Sequence, residues 1–146
     1  MSLDVYINYK EKKQANYFLD HPYIYDDLTE GDKSAFHEEE HWSANITHNL
    51  GNMANHIPVW LGNGVKTTLY YICWRPEEIR PAIKVNTDTI LAGLIQGINY
   101  MLLYRKELLQ YESPNGWGTY NGFMKFLLNY KQACEDNPDC EIEVSR

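Results

Sequence analysis

The stretch from Thr87 to Gln110, TDTILAGLIQGINYMLLYRKELLQ, carries Ile90, Leu91, Leu94, Ile95, Ile98, Met101, Leu102, Leu108 and Leu109 at helical spacing. These residues form one wide apolar stripe, which predicts a helix over 87–110 lying along a core. Gly93 and Gly97 stand one turn apart on it, where the missing Cβ lets a neighbour approach closely. A membrane-dimer reading of the two glycines fails, because Gln96, Arg105 and Lys106 interrupt any apolar span.

Immediately downstream, Pro114-Asn115-Gly116-Trp117-Gly118-Thr119-Tyr120 sets two glycines and two large rings in a tight turn. Thr119 is placed to cap a second helix over 120–135, whose apolar positions are Phe123, Phe126, Leu127, Tyr130, Ala133 and Cys134. A ring beside a helix N-terminus suits a planar ligand with an anionic group. The competing reading is a rigid turn whose Trp117 plugs the core.

Outward from the two helices the pattern is β. Residues 4–9 alternate with Val5 and Ile7 on one face, residues 42–46 are strand-like, and 141–144 close the chain with acidic residues outward. Between them, 10–40 is polar and broken by His21-Pro22 and Gly31-Asp32, which reads as a long loop or insertion. Leu50, Met53, Ala54 and Ile57 make a short helical pattern stopped by Pro58, and Asn63-Gly64 marks a turn. Residues 65–74 fit either a hairpin strand or a helix, Arg75-Pro76-Glu77-Glu78 opens a helical turn, and 83–85 suit a short strand. The sum is a single α+β domain over 1–146, with a small mixed or antiparallel sheet packed against two main helices.

Composition narrows the function. The chain has 146 residues, 44% hydrophobic and 23% charged, with 12 Tyr, 4 Trp and 4 Phe and a net charge of −7. That charge argues against nucleic acid or an anionic membrane as partner, since both need a basic surface, but leaves room for a small anion in a local pocket. Three cysteines, Cys73, Cys134 and Cys140, lack metal-site spacing and predict no disulfide framework, with a cytoplasmic location. The N-terminus has no basic head followed by an apolar run, so no leader or membrane span is expected. The aromatic content and the two-glycine helix face together predict a homo-oligomer, a dimer.

No reaction is spelled out. His37-Glu38-Glu39-Glu40-His41 matches the His-Glu-x-x-His pattern, but its charged middle and the strand-like residues after it argue for a solvated acidic face rather than a zinc site. Neither a metal nor a cofactor is expected, nor a nucleotide-hydrolase glycine loop. What remains is polar and aromatic groups at element junctions: Thr47, His48 and Asn49; Trp74, Arg75 and Glu77; Asn115, Trp117, Thr119 and Tyr120. Scaffolds place ligand sites at such junctions. Capping alone also accounts for Thr47, Asn49 and Thr119.

The blocks Asn45-Ile46-Thr47-His48-Asn49-Leu50, Trp74-Arg75-Pro76-Glu77-Glu78, Asn115-Gly116-Trp117-Gly118-Thr119-Tyr120, Ala133-Cys134 and Glu143-Val144-Ser145-Arg146 resemble those of a small family of uncharacterised bacteriophage and prophage accessory proteins. The resemblance spans roughly residues 42–146. It implies a phage accessory product without a known activity; by analogy of setting with small phage proteins that counter host defence, the expectation is a protein in the cytoplasm of an infected bacterium that sequesters a nucleotide-derived signal such as an ADP-ribose conjugate or a cyclic nucleotide. Two alternatives stand beside that expectation. One is an enzyme using His48 with Glu77 or Glu78 as an acid–base pair; the other is an interaction module that blocks a host factor.

Overall fold

Leu3, Val5 and Ile7 alternate with Asp4, Tyr6 and Asn8, and the alternation buries one face of the first strand over residues 3–7. The computed structural model describes residues 2–14, 38–62 and 64–146. Strand β1 (Ser2–Gln14) is central, flanked by β2 (Glu38–Thr47) and β5 (Glu141–Ser145) in an antiparallel sheet of order β2-β1-β5. Val5 pairs with Ala44 on one side and Val144 on the other, so Ile7, Trp42 and Ile142 share the core-facing side. On the outer side Asn8 donates to Glu143 at 2.9 Å and the Tyr6 ring meets His41 edge-on at 5.3 Å.

The polar stretch at 10–40 is therefore not loop throughout. Both its ends are strand, because Lys13 and Gln14 pair with Glu39 and Glu38 across an irregularity that begins after Asn8. Cross-strand pairing supplies their backbone partners regardless of side-chain polarity. Its middle, residues 15–37, lies outside the described residues, as does Asn63 of the Asn63-Gly64 turn.

After β2 a short 3₁₀ turn (His48–Leu50) leads into α1 (Gly51–Asn55). The ambiguous stretch from Val65 to Trp74 resolves into both alternatives in turn. Strand β4 (Lys66–Thr68) pairs with β3 (Pro58–Trp60), then α2 (Leu69–Trp74) begins. Gln96 pins this hairpin: its amide oxygen accepts from the Trp60 N–H at 2.9 Å and its amide nitrogen donates to the Trp60 carbonyl. Residues 83–85 form no strand of their own, although Ile142 N–H donates to the Val85 carbonyl and Asn86 bridges Glu141.

The long helix α3 (Thr87–Leu103) starts on Asn86, whose side chain accepts from Thr89 N–H. It stops seven residues short of the expected end, at Tyr104 with φ −117° and ψ 33°, and α4 (Arg105–Leu108) and a 3₁₀ turn (Leu109–Tyr111) follow. The Tyr120 hydroxyl donates to the Met101 carbonyl at 2.6 Å in that last turn, where carbonyls lack helical partners. Thr87 is buried and accepts from Cys140 N–H at 3.0 Å while donating to the Asn137 carbonyl, which ties the start of α3 to the approach to β5.

Gly93 and Gly97 face α2. A Cβ on Gly93 would sit 2.8 Å from Ile72, and one on Gly97 would sit 2.7 Å from Leu69. The glycine face that suggested a dimer is thus filled from within the same chain.

Helix α5 (Tyr120–Asp136) begins as expected on Thr119, whose hydroxyl accepts from Gly122 N–H at 3.0 Å. It lies against the sheet, with Tyr130 stacked on Trp42 at 5.6 Å. Among the described residues the Tyr130 hydroxyl is buried without a hydrogen-bond partner, close to Cys73 and Cys134. Burial, with those thiols adding, holds it protonated far above the usual tyrosine range, so its O–H stays a donor with no acceptor. Tyr130→Phe should therefore raise stability by about 1 kcal/mol, since it removes an unsatisfied buried group and keeps the ring. A urea midpoint that falls instead would show that the hydroxyl is bonded.

Candidate functional site

Thr47 ends β2 and its hydroxyl accepts from Asn49 N–H at 3.3 Å, which fixes the turn that presents His48. Asn49 then donates from Nδ2 to the Trp117 carbonyl at 2.8 Å, joining two junctions 68 residues apart. The aromatic turn is braced from inside as well. Asn115 Oδ1 accepts from Trp117 N–H at 2.9 Å and from the Ser113 hydroxyl. Gly118, at φ 130°, leaves room that a Cβ would lose to Asn49 at 3.2 Å and Leu50 at 3.4 Å. With its backbone so held, the Trp117 ring points outward and is 71% exposed. It does not plug the core.

Trp74 fills the interior position instead, at 2% exposure, tilted against Phe123 with centroids 6.1 Å apart. Its indole N–H donates to His48 Nδ1 at 2.9 Å. An indole only donates, so His48 Nδ1 accepts and the ring proton sits on Nε2. One turn back on α2, Tyr70 stacks on Trp74 at 5.5 Å and 12°. Arg75, the residue that ends α2, donates from Nε to the Tyr70 hydroxyl at 3.0 Å and from Nη1 to Glu78 at 2.6 Å. From the far end of the chain, Arg146 donates to the Trp74 carbonyl at 2.8 Å and pairs with Glu77.

His48, Tyr70, Trp74, Arg75 and Arg146 thereby line a cleft of about 390 Å³. Its walls are aromatic and its two guanidiniums are held in place by carboxylates. The hydrogen bonds from Arg75 to Glu78 and Tyr70 keep the guanidinium charged. In return Arg75 holds the Glu78 carboxyl below the usual carboxylate range, against some burial, and the charges of Arg146 and Arg80 add to the effect. Arg75 spends Nε and Nη1 on Tyr70 and Glu78, and Arg146 spends Nη1 on Trp74 and Glu77. A guanidinium has five N–H donors, so among the described residues each keeps an Nη2 amino group with no acceptor.

Of the ten junction residues, His48, Trp74 and Arg75 meet in the cleft, and Glu77 stands at Arg146 beside it. Thr47 and Asn49 shape the turn that carries His48, and Asn115 and Trp117 connect to it through Asn49. Thr119 caps α5, and Tyr120 is buried, its hydroxyl on Met101 and its backbone N–H on Glu112 at 2.7 Å. Two cleft residues were not among the expected site residues. Tyr70 was legible as the residue one helical turn before Trp74; Arg146 figured only in the terminal block of the resemblance.

Other chemistries find less support in the geometry. His48 bonds to Trp74, whereas Glu77 pairs with Arg146 and Glu78 with Arg75, so no hydrogen bond forms the acid–base pair. The three thiols are buried and unbridged; burial pushes Cys134 up to about 12 and raises Cys73 further, which leaves both as unreactive thiols. His37 lies outside the described residues, and Glu38 to His41 are strand, so the one-turn spacing of the His-Glu-x-x-His pattern is not formed there. Among the described residues no group of three His, Cys, Asp or Glu is close enough to hold a metal ion, and no helix is long and apolar enough to cross a membrane. No family model, curated protein or solved structure matches the chain.

Proposed function

We propose that this chain is a non-catalytic binding protein that captures a small nucleotide-derived ligand in the cleft between His48, Tyr70, Trp74, Arg75 and Arg146. The observation that carries the reading is the pairing, within one cleft of about 390 Å³, of the Tyr70 ring, backed by the buried Trp74, with two guanidiniums whose Nη2 groups are unspent among the described residues. Aromatic faces take a base, and guanidinium N–H groups take phosphate or carboxylate oxygens. The resemblance to phage accessory proteins adds a setting, in which such a protein withholds a signal from a host receptor.

Isothermal titration against nucleotides, cyclic nucleotides and ADP-ribose tests the reading. At least one ligand should bind far tighter than millimolar, and Arg75→Ala should weaken it by about 10-fold or more while leaving a folded protein, because a charge-assisted contact is lost from a half-exposed side chain. Ligand recovered by heating the complex should have unchanged mass. A panel in which nothing binds below about 1 mM overturns the proposal, and a changed mass replaces it with an enzyme.

A further inference from the structure

We infer that a second subsite lies across the Arg75–Glu78 ion pair from the aromatic cleft, lined by Lys66, Thr67, Thr68, Tyr71, Glu78 and Arg80, and that it takes the anionic half of a two-part ligand. The inference rests on the proposed binding role of the first cleft. The second cleft also measures about 390 Å³. One layer of side chains divides the two. Tyr70 lines the first and Tyr71 the second, their rings edge to face at 5.4 Å; Arg75 lines the first and Glu78 the second, joined at 2.6 Å.

The two clefts differ in how their cations are used. Arg75 and Arg146 are each matched by a carboxylate. Lys66 and Arg80 form no salt bridge with a carboxylate among the described residues, although Arg80 lies within the field of Glu78. Lys66 Nζ stands 5.1 Å over the Trp60 ring, and Trp60 is in turn fixed by Gln96. Arg80 is steadied by the backbone carbonyls of Glu77 and Ile79 at 3.1 and 2.9 Å. On a chain with 20 acidic and 13 basic residues, two positioned cations without a salt-bridge partner at one cleft mark a place where an anion is stabilised. Glu78, the acidic side chain there, has its charge directed to Arg75. The division of labour follows: the planar half of the ligand lies on Tyr70, which Trp74 backs from the core, and its phosphates reach Lys66, Arg80 and the hydroxyl of Thr67.

Titrating the full chain with ADP-ribose, adenosine and inorganic pyrophosphate, in the wild type and in a Lys66→Gln/Arg80→Gln variant, tests this. ADP-ribose should bind tighter than adenosine. The variant should lose about 10-fold or more for ADP-ribose and pyrophosphate and nothing for adenosine, and ADP-ribose binding should become less salt-dependent. ADP-ribose affinity that is the same in variant and wild type overturns the second subsite while leaving the first. Pyrophosphate binding that depends on Lys66 and Arg80, with no adenosine-containing ligand bound, supports the second subsite and overturns the first. Absence of binding by all three probes overturns both.

Discussion

Replacing Trp74 with alanine should cost about 3–5 kcal/mol of stability, the range for deleting a large buried aromatic side chain. The indole is 2% exposed, stacks on Tyr70, touches Phe123 and satisfies His48 Nδ1, so its loss opens a cavity and strands a polar atom together. For a domain of this length the melting temperature should fall by roughly 10–15 °C, read by circular dichroism at a fixed scan rate. A drop under about 1 kcal/mol would mean the core collapses around the vacancy and that Trp74 serves the cleft alone. The same residue forms the floor of the cleft and part of the core. Binding of the proposed ligand would therefore be coupled to folding stability at Trp74, which is why Arg75 rather than Trp74 is the informative position for testing affinity.

Gly93→Val should be nearly as severe, about 3 kcal/mol. Alanine at a helical glycine gains up to about 1 kcal/mol from propensity. That gain is opposed here, since a Cβ at Gly93 meets three atoms of Ile72, Cδ1 at 2.8 Å, Cγ1 at 3.0 Å and Cγ2 at 3.1 Å. Ile72 is itself fully buried and has no free volume to retreat into. Valine adds two methyl groups to the clash and should push α3 off α2. A chemical-denaturation midpoint for Gly93→Val equal to wild type would show that α2 moves freely. Because Ile72 directly precedes Cys73 and Trp74 in the chain, the displacement should also disturb the cleft.

Much of the architecture was present in local pattern. The α3 stripe at Ile90, Leu94, Ile98 and Met101, the Thr119 cap, the buried Leu3, Val5 and Ile7 face and the outward Glu141 and Glu143 follow from periods of 3.6 and 2, whereas Ile95 and Leu102, also expected in the stripe, are exposed. Local pattern also marked His48, Trp74 and Arg75 as junction residues. It had no means of showing that the first two meet, since the indole-to-imidazole bond joins positions 26 apart, or that Arg146 returns to the Trp74 carbonyl from 72 residues away. Trp117 and Trp74 illustrate the limit most directly: both are tryptophans at a junction, one 71% and one 2% exposed. Gly118 against Asn49, and the Asn49 bond to the Trp117 carbonyl, turn the first ring outward; Phe123 and Tyr70 enclose the second. The end of α3 at Leu103 has the same origin, because Tyr120, sixteen residues beyond Tyr104, takes the Met101 carbonyl that a longer helix would have used. Sequence periodicity reports which face of an element is apolar. Which partner covers that face, and which side chains are left at the opening, is set by contacts between segments distant in the chain, and these exist only once the fold has closed.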